Sequence, residues 1–332
     1  MQKKLLTMAV AGALAAPLAA FAQVTVYGSI DTGIRSQSKV FTGVGTETGS
    51  VLSVEPQGKK SNRLGFKGSD DLGDGLMANF TMEGAFASDT GATPWTTARK
   101  TIVGLSKGGN SVDLGRDYTL AFDTHGIWDP MGHDYGTSVT GQGTGVAGTR
   151  FDNSIKAKFR FGTGGIGVQY APGEQAGSGS AGTATAFAGD FTFGPVLVGA
   201  SFTTQKNTAA TPVDTKTTNF GAAWTMGAFV FRGGISKEDV DAGNETQQIA
   251  LGVQYAMSPT LNGRLGYYSN TVDSNAGLEL GTAKTFVATL EYTMSKRTLA
   301  YLAVDRRTLE GNQITTLDDG ATGIGVGISH VF

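Results

Sequence analysis

The chain has no cysteine and only three histidines among its 332 residues. That excludes disulfides, thiolate nucleophiles and cysteine metal sites. Proline is scarce, at 8 residues, and charged side chains make up only 16%. A net charge of −2 gives no electrostatic footprint for nucleic acid, so none is expected as a partner. Beyond the first 22 residues there is no apolar run long enough for a transmembrane helix. Nor is there a stretch with the 3.6-residue period of an amphipathic helix. Glycine, by contrast, is abundant: 50 residues, roughly twice ordinary usage.

What fills the chain is a period of two. Ile249, Leu251, Val253 and Tyr255 are apolar, while Ala250, Gly252 and Gln254 between them are small or polar. Phe286, Ala288, Leu290 and Tyr292 repeat the pattern around Val287, Thr289 and Glu291. Such alternation reads as strands with one apolar face. Sixteen are expected. The first ten are Val24–Arg35, Lys60–Gly68, Leu76–Ala87, Ala98–Lys107, Ser111–Asp117, Arg150–Phe161, Gly165–Tyr170, Thr185–Phe193, Val196–Thr204 and Lys216–Trp224. Ala228–Lys237, Thr246–Met257, Thr260–Thr271, Ala283–Tyr292, Arg297–Arg307 and Thr322–Phe332 follow.

Their connections alternate in kind. Short turn-forming joints stand at 69–74, 108–110, 162–164, 194–195, 226–227 and 258–259. Long polar stretches rich in Gly, Thr and Ser stand at 38–59, 88–97, 118–149, 171–184, 205–215, 238–245, 272–282 and 308–320. Short turns facing long loops, with an even strand number, predict an all-β protein: a 16-stranded antiparallel transmembrane β-barrel. Aromatic residues near strand ends (Trp224, Tyr255, Tyr267, Tyr292 and Phe332) fit the interfacial girdles of a barrel or the core of a soluble β-protein, and the opposite parity favours the barrel. In Arg150–Phe161 one parity carries Arg150, Asp152, Lys156, Lys158 and Arg160, as a water-filled lumen or a solvated sheet face would accept.

The N-terminus is read separately. Lys3 and Lys4 precede an apolar run ending Ala20-Phe21-Ala22. This is a charged head, short apolar core and small-x-small site, so 1–22 is expected to be a secretory signal cut between Ala22 and Gln23. The barrel then occupies 23–332, with 24 basic and 28 acidic side chains. At the other end Ile324, Val326, Ile328, His330 and Phe332 share a parity. A closing aromatic looks like the signature by which barrels are recognised for insertion, and implies the outer-membrane assembly machinery as a partner.

Several segments resemble the general porins of Gram-negative bacteria, above all the β-proteobacterial Neisseria and Burkholderia type. They are VTVYGSIDTG at 24–33, NRLGFKGSDDLGDGLMANFTMEG at 62–84, VGLS at 103–106, LGRDYTLAFD at 114–123, RFDNSI at 150–155, YTMSKRTLAY at 292–301 and GISHVF at 327–332. The resemblance implies a homotrimer in the lipid and lipopolysaccharide of the outer membrane, which passes ions and small hydrophilic solutes by diffusion without a cofactor. It also implies that the third long loop, here Tyr118–Thr149, folds into the lumen. That stretch has no lysine or arginine before Arg150 and supplies Asp123, Asp129 and Asp134 as acids of the constriction. Facing them, Arg63, Arg99 and Arg150 match the family's wall arginines, with Arg116, Lys67, Lys156 and Lys158 as further candidates. Alternation aims Arg63 and Arg150 inward if Leu64 and Phe151 face lipid, whereas the parity of Arg99 is ambiguous. Guanidinium groups opposite carboxylates set a transverse field, and the excess of cations predicts a mild anion preference. AKFRF at 157–161 departs from the family's Tyr-x-Ser-Pro, and the loop lacks the Pro-Glu-Phe-Gly-Gly run of enterobacterial relatives.

Other motifs are weaker. GLSKG at 104–108 fits a hydrolase elbow only if a helix follows Ser106 and a histidine approaches it. His125 and His133 could bind a metal but lack a third ligand, so they are expected to be solvated loop residues and no metal is expected. GxGxxG at 143–148, 162–167 and 177–182 lacks the following helix that a dinucleotide site needs. DDLGDG at 70–75 reads as a turn rather than a calcium loop. A solute-specific channel, a barrel hydrolase and an exported adhesin remain as alternative readings.

Overall fold

The computed structural model describes residues 24–41, 48–92, 98–135, 148–206, 214–241, 243–274, 276–311 and 319–332. Residues 1–22, with the expected cleavage point at Ala22–Gln23, lie outside the described residues.

Seventeen strand segments form one antiparallel sheet among the described residues. They are β1 (Thr25–Phe41), β2 (Thr48–Pro56), β3 (Arg63–Asp71), β4 (Met77–Ala85), β5 (Ala98–Lys107), β6 (Asn110–Tyr118), β7 (Arg150–Phe161), β8 (Gly164–Ala171) and β9 (Ala184–Phe193). The rest are β10 (Val196–Lys206), β11 (Asp214–Met226), β12 (Phe229–Val240), β13 (Glu245–Ala256), β14 (Leu261–Asp273), β15 (Glu279–Thr293), β16 (Thr298–Gly311) and β17 (Thr322–Val331). β2 and β3 share one position beside β1: β2 pairs with residues 32–41 and β3 with residues 25–29. The seventeen segments therefore make sixteen staves. β1 also pairs with β17, from Ser29↔Val331 to Gln37↔Gly323, which closes the barrel.

The apolar parity points outward. Val26, Ile34, Leu251, Leu265, Phe286 and Val326 are each more than half exposed, while Asp31, Asn62, Gln169, Asn219 and Gln248 on the other parity are buried. This inversion suits strands that meet lipid outside and polar groups inside. Trp224 packs on Phe231 and Phe229 on Tyr255, ring centroids 5.5 and 4.5 Å apart, near the short turns. The turns are those their residues demand: Gly108 and Gly109, both at positive φ, join β5 to β6 as a two-residue hairpin requires.

Three expectations are corrected. The stretch 38–59 is largely strand, since β1 continues to Phe41 and β2 begins at Thr48. Likewise 238–245 shrinks to 241–244 between β12 and β13. Without clean alternation, as where Val51 and Leu52 stand side by side in β2 or where β12 runs through Lys237-Glu238-Asp239 near its end, a paired strand cannot be told from a loop by hydropathy. Within 118–149 a helix, α1 (Leu120–Trp128), was not anticipated. Thr119 caps it by accepting from the Phe122 amide at 3.0 Å, and Pro130 follows its end. Its residues are apolar on several sides, so they show no clean helical period.

At the seam, Gly28 and Phe332 exchange two backbone hydrogen bonds of 3.1 Å. A Cβ at Gly28 would overlap the Arg63 carbonyl and the Phe332 ring. Gly28→Val is expected to cost about 1–3 kcal/mol by overpacking, seen as a reduced fraction refolding into detergent. An unchanged yield would contradict this view of the seam.

Candidate functional site

Residues 119–135 lie against the parity opposite the apolar one. Five adjacent strands meet this segment through glycine, besides Gly167 of β8, which faces Leu120. A Cβ at Gly199 would strike Ile127, and one at Gly221 or Gly234 would strike Trp128. Gly252 meets Pro130, and Gly266 meets Met131. These glycines lie on β10 to β14, so the sheet is hollowed along the path of α1 and the turn after it. Trp128, Met131 and Tyr135 are fully buried with Ala250, Tyr268, Val287 and Tyr301.

Charged pairs fasten the segment at both ends. Asp123 accepts from Lys156 at 2.8 Å and from Lys158 at 2.7 Å. Burial alone would raise its carboxyl pKa, but the two ammonium groups outweigh that and hold it below its ordinary value. Asp134 pairs with Lys59 at 2.5 Å and with Arg264 at 3.5 Å. Lys59 and Arg264 also share Glu291, at 3.1 and 3.5 Å, and the Tyr135 hydroxyl donates to the same carboxylate at 3.0 Å. Arg232 donates to the Gly126 carbonyl and Arg264 to the Met131 carbonyl, at 3.1 and 2.7 Å.

The arginines expected on the wall gather around two groups that no sequence motif marks, Glu83 and Tyr118. Arg99 Nε donates to Glu83 at 2.7 Å, and Arg63 Nη1 stands 3.8 Å from the same carboxylate. The Tyr118 hydroxyl accepts from Arg99 at 2.7 Å and from Arg150 at 3.0 Å. The Arg150 guanidinium lies 4.4 Å from the Tyr118 ring centroid, and that ring stacks on Phe122 of α1. Arg63 is opposite buried Ser29. Arg99 sits where the β4–β5 register slips, which explains its ambiguous parity. Lys67 lies over Tyr27 at 5.2 Å, and Arg116 pairs with Asp152.

Other expectations need correcting. Phe151, taken as lipid-facing, is buried with Ala171 and Ala184. The register slips between Gly115 and Asp117, opposite a left-handed Asn153 at φ 54°, so alternation from β7 cannot be carried back to Arg150. Asp129 does not present its carboxylate to open space. It accepts from the Tyr268 hydroxyl at 2.6 Å and from the Met131 and His133 amides at 3.1 and 2.7 Å. His125 and His133 are not free loop side chains: their rings stack 5.0 Å apart, and His125 is 3% exposed. Burial lowers the His125 pKa to about 4, against the pull of Asp129. GLSKG, by contrast, is as expected: strand β5 runs into the Gly108–Gly109 turn, and the Ser106 hydroxyl accepts from Asn79 at 2.8 Å.

Parity alone could have found Glu83, Arg232, Arg264 and Glu291, each on the polar side of its strand. Lys59 was not accessible that way, since residues 57–62 interrupt the stave between β2 and β3.

Comparison with known proteins agrees with this architecture. The model of a family described as Gram-negative porin matches residues 7–312. Outer membrane porin protein 32 of Delftia acidovorans is 29% identical over 370 aligned residues, spanning all of both chains. Major outer membrane protein P.IB of Neisseria meningitidis is 35% identical over 133 residues, 39% of this chain and 38% of its own. The structure of an anion-selective porin from Comamonas acidovorans superposes with a TM-score of 0.80 at 24% identity, covering 94% of this chain and 100% of that one. With the closed barrel, the outward apolar parity and the polar interior, these matches show that the chain belongs to the Gram-negative porins, outer-membrane β-barrels through which solutes pass by diffusion.

Proposed function

We propose that residues 119–135 narrow the lumen to a charged constriction, and that small hydrophilic solutes and ions pass it by size and charge, without catalysis or cofactor. The observation carrying this reading is the contact of the segment with the polar parity of β10 to β14, with Asp123 and Asp134 tied to wall cations. Asp129 falls out of the constriction set, and Asp123 and Asp134 stay in it. Among the described residues, Lys67, Arg150 and Arg232 have no carboxylate partner, so cations exceed anions and a mild anion preference follows. The homotrimer, its contacts with lipid and lipopolysaccharide, insertion by the assembly machinery and removal of residues 1–22 belong to the same proposal, supported by membership of the family.

Swelling of liposomes in neutral sugars of graded size tests the constriction. Small sugars are expected to enter fast and larger ones progressively more slowly, and deletion of 120–134 is expected to flatten that dependence. An identical size dependence in the deletion variant would sink the proposal.

A further inference from the structure

Two imidazoles and a carboxylate meet at the C-terminal end of α1. One ligand atom from each of His125, Asp129 and His133 lies within 4.8 Å of the other two. Neither histidine is free to choose its tautomer. His125 Nε2 donates to Oε1 of buried Gln248 at 3.1 Å, and His133 Nε2 donates to the Phe122 carbonyl at 2.9 Å. Both protons are thereby held at Nε2, which leaves a lone pair on each Nδ1. The His125 Nδ1 is buried and has no hydrogen-bond partner among the described residues. His133 Nδ1 is 3.9 Å from Asp129 Oδ2. Holding the far nitrogen of each ring on an oxygen is how metal-ligating histidines are oriented.

Asp129 is set for the same purpose. The Tyr268 hydroxyl and two backbone amides fix its carboxylate, yet Oδ2 keeps capacity beyond the single amide bond it accepts. A side chain at Gly126 would press on the His133 ring, so glycine there lets the two rings stack.

We propose that His125, Asp129 and His133 form a three-ligand site for a divalent transition cation of the zinc class, bound through the two Nδ1 atoms and Asp129 Oδ2. A two-imidazole, one-carboxylate set suits Zn²⁺, Co²⁺ or Ni²⁺ and leaves a fourth position for water. Calcium and magnesium, which take oxygen ligands, are excluded by the donor set. Arg232, bonded to the Gly126 and Asp129 carbonyls, adds a positive charge nearby. The site therefore selects a cation held by ligand bonds rather than by net charge. A bound ion would staple the end of α1 to the turn at 129–133, and through Gln248 and Tyr268 to β13 and β14.

The test uses the full refolded barrel in detergent, stripped with a chelator and titrated with Co²⁺, then with Zn²⁺ in competition. Expected are one cobalt per chain with a visible ligand-field band, displacement of that band by zinc, and a higher thermal midpoint with zinc bound. His133→Gln and Asp129→Asn should abolish the band. Gln248→Met, which removes the orienting acceptor, should weaken binding about 10–100-fold. His330→Gln, on the outer parity of β17, should change nothing. Heat-modifiable migration on mild gels reports that each variant is folded. His133, at 20% exposure, is the variant that carries the test if those at buried positions fail to fold. Uptake by the wild type no greater than by folded His133→Gln would overturn the site, as would loss of binding only in His330→Gln.

Discussion

A Gly221→Leu variant is expected to form an intact barrel with a larger and noisier single-channel conductance. Gly221 and Gly234 are neighbours across β11 and β12, and the Trp128 ring rests on both. Trp128 is fully buried and is the largest side chain holding α1 in place. Any Cβ at 221 overlaps the Trp128 ring and its Cβ, so the buried side chain must leave its seat. Losing the seat of a buried tryptophan costs about 3–5 kcal/mol, enough to populate states with α1 displaced. The barrel's own ladder does not depend on α1, because every stave pairs with two neighbours. Conductance should therefore rise while heat-modifiable migration stays as in the wild type. Conductance equal to wild type in a folded Gly221→Leu channel would mean that the segment does not limit flow. Trp128→Ala should act in the same direction by emptying the seat instead of blocking it.

The second large effect concerns charge. Arg63 and Arg99 converge on Glu83, and Arg99 and Arg150 on the Tyr118 hydroxyl. Glu83→Gln removes the one carboxylate of this group and leaves three guanidiniums, so the channel should turn more anion-preferring. Replacing Arg63, Arg99 and Arg150 together by serine should turn it toward cations. A unit charge about 8 Å from a passing ion, at an effective dielectric near 40, is worth about 1 kcal/mol, or roughly fivefold in permeability ratio. The shift should fade in molar salt, where the screening length falls to about 3 Å. Reversal potentials at low and high salt measure it. No shift in either variant at low salt would remove these arginines from the pathway. Acidification to about pH 5 should leave the Asp123–Lys156–Lys158 set intact: the Asp123 pKa is depressed, so its contribution is lost only as pH falls below the ordinary carboxylate value.

The barrel was legible because it depends on a long, repeated signal. Alternation in segments such as Ile249–Tyr255 fixes both the strand and its face, and each one-residue slip would turn every apolar side chain inward. The bounds of Ala98–Lys107 and Arg150–Phe161 were readable for that reason. In Thr48–Pro56 the adjacent Val51 and Leu52 are both exposed, so the alternation blurs while the pairing goes on. The site was less legible. Arg99 and Arg150 sit beside register slips that alternation cannot foresee. Helix α1 is buried on several faces, so no period marks it, although Thr119, Asp123 and Pro130 were start and stop signals in plain view. Asp129 looked like any other loop acid. Its commitment to Tyr268, 139 residues away, is a property of the closed barrel alone.

The central claim is a water-filled lumen, narrowed by residues 119–135, whose charge excess lies with the wall cations. It is tested most directly by the reversal potential of single wild-type channels in a planar bilayer under a tenfold salt gradient. Stepwise ohmic conductance with a modest anion-favouring potential is the predicted result. A cation-favouring potential, or a barrel that inserts without conducting, would contradict it.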